Sequence, residues 1–173
     1  MNLDTSRSAS VADSATDQYV GEYLTFILGD ESYGINFLKV QEIRDYEAVT
    51  KVAYTPDFIK GVIDLHGLIV PIVDLRIKFG LCKVVYDEFT VAIILNLPGR
   101  VVGIVVDGVS DVMNLNGDQV RSVPDIVASI DTKYITGLAT VEEKRFILVD
   151  IEQLMTSKEM GLMGGASLHQ EII

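Results

Sequence analysis

The chain has 173 residues and carries 14 Lys plus Arg against 25 Asp plus Glu, a formal charge of −11. That length can bury a sizeable core, as one domain or as two small intimate ones. The acidic balance excludes recognition of a phosphate backbone, which needs a basic surface, and disfavours adsorption to anionic membranes.

Residues 1–18 are rich in Ser, Ala, Thr and Asp, without an apolar period, and read as a disordered tail. Tyr23 to Leu28 reads as a strand, Gly29-Asp30 as a turn and Tyr33 to Phe37 as the returning strand. In LKVQEIRDY, the spacing of Leu38, Ile43 and Tyr46 fits one face of a short helix. A strand near Val49 to Ala53 follows. Thr55-Pro56-Asp57 then opens a short helical turn, with Thr55 as cap and Pro56 at the first helical position. Gly61 to Val73 is a hairpin turning at His66-Gly67, and its apolar second strand, Leu68 to Val73, is expected to be buried. Asp74 ends that strand before LRIKF, which has helical spacing. In the second half, Phe89 to Leu95 and Val101 to Val106 are strands around a Pro98-Gly99 turn. Glu152 to Met163 reads as a C-terminal helix ended by Gly164-Gly165, with residues 165–173 a flexible tail.

The chain repeats itself in two registers. At a spacing of 76, Ile59, Gly61, Val73 and Asp74 return as Ile135, Gly137, Val149 and Asp150. At a spacing of 69, Gly34-Ile35 returns as Gly103-Ile104, while Val40 and Ile43 return as Val109 and Val112. The extra seven residues fall between Asn116 and Lys133. Short strands separated by turns, in two copies, predict a mostly β protein of small barrels rather than one open sheet. The modules are placed at about 19–80 and 85–155 within one folded unit, 19–164, with exchange of a strand or helix between them.

Candidates for chemistry are few. Asp74 and Asp150 could form a shared-proton dyad of a hydrolase. Their contexts, VDL and VDI, lack the Asp-Thr/Ser-Gly turn of such enzymes, and a cap on the following helix is the plainer role. His66 and His169 are the only histidines, fewer than a zinc site needs. Cys82, the single cysteine, excludes an intramolecular disulfide and reads as an idle thiol. No phosphate-binding glycine loop occurs. The expectation is a protein without cofactor, metal or catalytic activity. It has no signal-peptide pattern and no apolar run of spanning length, hence is cytoplasmic without direct membrane insertion. Gly61, Gly67, Gly103 and Gly137 are places for a close partner or for turns, bulges and tight packing. Val40, Ile43 and Val112 are core residues or, where exposed, a seat for an amphipathic helix.

Four segments in order, LGDESYGINFLKVQEIRDY, TPDFIKGVIDLHGLIVPIVDLRIKFG, RVVGIVVDGVSDVM and YITGLATVEEKRFILVDIEQL, closely resemble the CheW family of bacterial chemotaxis coupling proteins, from about Tyr23 to Met163. The resemblance implies two SH3-like five-stranded β barrels joined through a shared apolar core. It also implies a non-catalytic adaptor joining chemoreceptor tips to the histidine kinase CheA, whose regulatory domain has the same fold, within membrane-associated receptor arrays. Carried onto this chain, it implies a receptor groove of Val40, Glu42, Ile43, Gly61, His66, Gly67, Val91, Gly103 and Val112, with Arg121 and Gly137 at coupling or kinase-facing positions. The family usually has NLRG where this chain has Asp64-Leu65-His66-Gly67. That exchange replaces a permanently charged donor fork by a titratable ring. The same fold could serve as a module of another two-component array or of a larger protein, although the start at Met1 and the short tails favour a stand-alone adaptor. A proline-rich-peptide binder is disfavoured by the lack of Trp and of an aromatic cluster in the sequence.

Overall fold

The computed structural model describes residues 20–81, 84–122 and 132–156. The expectations for both tails, for Cys82 and His169, and for the helix beyond Thr156 lie outside these residues. β-Branched runs punctuated by tight turns give eleven strands among the described residues. These are β1 (Gly21–Leu28), β2 (Glu31–Asn36), β3 (Val40–Asp45), β4 (Ile59–Leu65), β5 (Leu68–Asp74), β6 (Val91–Leu97), β7 (Arg100–Val106), β8 (Gly108–Leu115), β9 (Val120–Arg121), β10 (Ile135–Val141) and β11 (Lys144–Val149). Two short helices follow the repeat-related hairpins, α1 (Leu75–Lys78) after β5 and α2 (Ile151–Thr156) after β11.

The strands form two sheets, ordered β8-β1-β2-β11-β10-β9 and β3-β6-β7-β5-β4. One thus has six strands, the two-residue β9 included, where five were expected. Neither sheet coincides with one sequence copy. Each takes two strands from one copy and receives a third strand and a final hairpin from the other. The third strands join through antiparallel pairings, β1 with β8 and β3 with β6, and the hairpins through parallel ones, β2 with β11 and β5 with β7. Both parallel pairings press a glycine against a branched side chain. A Cβ on Gly103 would lie 2.5 Å from Ile72 Cδ1, and one on the equivalent Gly34 would lie 3.0 Å from Leu148 Cδ2.

The main core fills the space between the sheets, with Leu24, Phe26, Ile35 and Ile147 from one and Ile93, Leu95, Ile104 and Val73 from the other. Smaller clusters lie on the far face of each sheet, around Phe146 and Leu148 and around Ile72 and Ile94.

LKVQEIRDY departs from its helical reading. Only Phe37–Lys39 forms a single 3-10 turn, Val40–Asp45 is β3, and Tyr46 lies just beyond it. The partner register of β3 shows why the period misleads. Val40 lies opposite Leu95 and Glu42 opposite Ile94, so Gln41 is a bulge. The extra residue puts Val40 and Ile43, three apart, on the same face, as a helix would. The equivalent strand β8 does the same. Val109 lies opposite Phe26 and Asp111 opposite Thr25, so Ser110 is the bulge. There the Thr25 hydroxyl takes the Asp111 N–H and donates to its carbonyl, both at 3.1 Å.

Other expectations also shift. The strand near Val49 reduces to one bridge, Thr50 with Val62. No helix forms at Pro56, whose carbonyl accepts a single turn bond from Ile59; Thr55 donates its hydroxyl to the Val52 carbonyl instead of capping. Leu68 and Ile69, beside the hairpin tip, are exposed.

The His66-Gly67 turn forms as read, with both residues at positive φ (54° and 85°), the conformation that suits the twist of a two-residue hairpin. Exactly one spacing later stand Glu142 (φ 49°) and Glu143 (φ 70°). The second copy therefore imposes left-handed backbone on two adjacent glutamates, which costs about 1 kcal/mol per residue. The double change Glu142→Asn, Glu143→Gly is expected to stabilise the protein by about 1 kcal/mol. It should raise the urea midpoint at unchanged slope; a lowered midpoint would show that the two glutamates make contacts outweighing their strain.

Candidate functional site

Asp74 and Arg76 come from the VDLR segment that closes the first copy, and both are 0% exposed. The Asp74 carboxylate caps α1 by accepting the Arg76 N–H at 3.0 Å. The Arg76 side chain turns back and grips the same carboxylate with two parallel bonds, Nε–H to Oδ1 at 3.0 Å and Nη2–H to Oδ2 at 2.9 Å. Such forked pairing is what makes a buried ion pair tolerable. The remaining nitrogen, Nη1, donates to Asp107 Oδ1 at 3.0 Å and to the Val85 carbonyl at 2.7 Å. Tyr86 donates its hydroxyl to Asp74 Oδ2 at 2.7 Å, and its ring stacks on Tyr46 with centroids 4.9 Å apart. Asp107 in turn accepts the Gly29 N–H of the β1–β2 turn at 2.7 Å. Burial alone would lower the Arg76 pKa, but the bonds to Asp74 and Asp107 and their charge hold it above its ordinary value. Burial and the bond to Asp74 push Tyr86 up to about 12.

This cluster removes Asp74 from any dyad. Its oxygens are occupied and it has no exposure. Asp150 keeps the capping role, accepting the Gln153 N–H at 3.0 Å, and it follows β11 of the other sheet. Among the described residues, no group of three or more His, Cys, Asp or Glu could hold a metal ion, and no helix is long and apolar enough to cross a membrane.

The residues carried over to the groove separate into four sets. Val40, Glu42 and Ile43 lie together on the edge strand β3, and Val91 is opposite Asp45 on the neighbouring β6. The Gln41 bulge turns Val40 and Ile43 towards the intersheet core. Val40 packs into it, while Ile43 stays 40% exposed at its rim. Glu42 faces the other way, with Arg44 at 4.0 Å. Val112 is on β8, in the other sheet, at the repeat-equivalent rim position and 38% exposed. Gly61 and Gly103 are buried in the sheet and act through their neighbours. Gly61, at φ 145°, leaves room that any Cβ would fill against the Thr50 carbonyl; Thr50 and Val62 there exchange two backbone bonds of 2.8 and 2.9 Å. His66 and Gly67 are exposed at the β4–β5 tip. Arg121, on β9, is opposite Leu138, next to the buried Gly137 on β10. Beside β3, a cavity of about 250 Å³ is lined by Arg44, Tyr46, Val49, Thr50, Ile63 and Asp64.

Sequence reading missed Arg76, Tyr86 and Asp107, and it found no aromatic cluster although Tyr46 and Tyr86 stack. The one available signal was an Arg two residues after the capping Asp.

The CheW-like domain model matches residues 22–159. The chain belongs to the CheW-like family. Among relatives, the chemotaxis protein CheW of Klebsiella aerogenes is 55% identical over 155 residues, covering 90% of this chain and 93% of that protein. The chemotaxis protein CheW of Rhizobium meliloti is 30% identical, covering 80% and 89%. The crystal structure of the scaffolding protein TtCheW from Thermoanaerobacter tengcongensis superposes with a TM-score of 0.73 at 30% identity, covering 81% of this chain and 95% of that one. The CheW-like fold of two SH3-like β subdomains thus holds, built here from reciprocally exchanged strands.

Two outcomes follow from the buried cluster. Arg76→Met leaves the Asp74 charge buried without its fork and is expected to cost about 3–5 kcal/mol in urea unfolding. A loss below about 1 kcal/mol would mean that water reaches Asp74 in the variant. Because the folded Tyr86 pKa lies above its ordinary 10.0, its stabilising contribution is complete below pH 10 and is lost as pH rises through about 12. Tyr86→Phe should therefore flatten the decline of thermal midpoint in that window; an unchanged decline would assign it to other groups.

Proposed function

We propose that this chain is a non-catalytic, cytoplasmic scaffold that couples chemoreceptor tips to the histidine kinase CheA and is recruited with them to membrane-associated arrays. The observation that carries this reading is the pair Ile43 and Val112. They occupy equivalent rims of the intersheet core, at 40% and 38% exposure, and each stands on an edge strand bulged to present it. An apolar rim on paired edge strands suits the apolar face of a helical hairpin. Glu42 and Arg44, on the opposite face of β3, supply charge for orientation. Arg121 and Gly137, in the other sheet, form a separate region suited to the kinase. The buried pair Asp74–Arg76 is structural in this reading, consistent with an adaptor role.

The test is kinase autophosphorylation reconstituted from receptor cytoplasmic fragments, CheA and this protein. Wild type is expected to give strong receptor-dependent stimulation. Ile43→Asp and Val112→Asp, both at half-exposed sites, are expected to weaken receptor binding at least about tenfold, roughly 1.4 kcal/mol. Absence of stimulation by wild type with several receptor types would sink the proposal and favour a module of another array. His66→Arg is expected to tighten receptor binding, because it restores a permanent charge; unchanged affinity would remove His66 from the interface.

A further inference from the structure

Three exposed apolar residues, Phe89 at 66% exposure, Val85 at 56% and Ile27 at 37%, belong to segments whose backbones meet around Asp107 and Gly108. Ile27 is paired with Gly108, and its carbonyl accepts the Asp107 N–H at 3.0 Å. The Val85 carbonyl takes the same Arg76 nitrogen that donates to Asp107. A Cβ on Gly108 would lie 3.8 Å from the Phe89 carbonyl oxygen. Leu81 borders the same point, 3.5 Å from where a Cβ on Gly29 would be, and Gly29 donates its N–H to Asp107. The segments that carry Ile27 and Val85 are thus tied by hydrogen bonds to Asp107 and Arg76 of the buried ion cluster. Clustered exposed apolar side chains of this kind mark interaction surfaces, and pre-organisation lowers the cost of binding.

We propose that the patch around Asp107 and Gly108, at the start of β8 and away from the rim residues Ile43 and Val112, docks a basic amphipathic segment of a protein partner. Charge selects the occupant. Asp30 in the β1–β2 turn and Asp87 and Glu88 in the segment just before Phe89 are exposed acidic residues on the same segments. The guanidinium of the ion cluster, Arg76, is buried and already divided between Asp74 and Asp107. Leucine-like side chains would cover Phe89 and Val85 while Lys or Arg meet the rim. A second copy of this chain, at −11, would bring like charge to an acidic surface.

The full chain, labelled for amide NMR, would be titrated with two synthetic helical peptides, one of Leu and Lys and one of Leu and Glu. The Leu/Lys peptide is expected to shift the amides of Ile27, Val85, Phe89 and Gly108, with affinity falling at least about fivefold as salt is raised. Phe89→Ser, at an exposed position, should weaken it about tenfold, and Phe89→Leu should restore it. The proposal is overturned if the shifts map elsewhere, if the Leu/Glu peptide binds equally, or if wild type sediments as a dimer that Phe89→Ser separates, since a second copy would then cover the patch.

Discussion

The grip of Arg76 on two aspartates is the constraint on which the rest of the structure leans. One guanidinium holds the end of β5 through Asp74, the segment before β6 through the Val85 carbonyl, and the β7–β8 junction through Asp107. Asp107 extends the reach to the β1–β2 turn of the other sheet. A buried charge pair is a poor source of net stability, because desolvation consumes most of the attraction. Its value lies in direction. Apolar packing between the sheets is tolerant of sliding, whereas forked hydrogen bonds to fixed carboxylates are not. The cluster sets the relation of the sheets that the intersheet core then fills.

The two exposed rim residues of the intersheet core do not lie on one element. Ile43 and Val112 belong to different sheets, and their common orientation comes from two bulges at equivalent positions. A one-residue insertion is a cheap way to turn an edge strand so that it presents an apolar side chain while its ladder continues. Bulges also discourage edge-to-edge pairing with other chains.

Hairpins, the repeat and the His66-Gly67 turn were legible in the sequence because each is a local matter of turn chemistry and alternation. The helical reading of LKVQEIRDY failed for a definite reason: the Gln41 bulge places Val40 and Ile43 on one face at a spacing of three, which imitates a helix. The segment near Pro56 carried a helix-start pattern but no following apolar period to sustain one. The ion cluster was not legible, since Arg76, Tyr86 and Asp107 are brought together only by the parallel join of β5 to β7 and by the segment that precedes β6. Glu142 and Glu143 show the converse: nothing in their chemistry asks for a left-handed turn, and only the equivalence with His66-Gly67 announces it.

The crossed pairing of the copies also governs how the chain assembles as it leaves the ribosome. The sheet built on β6 and β7 has all its strands once Val106 is made. The other sheet must wait for β11, and until then β2 offers an open ladder with no partner on that side. Non-local pairing of this kind is slow, and an exposed strand edge invites association with neighbouring chains. The last hairpin thus covers β2 and leaves the sheet ending at the two-residue β9 instead.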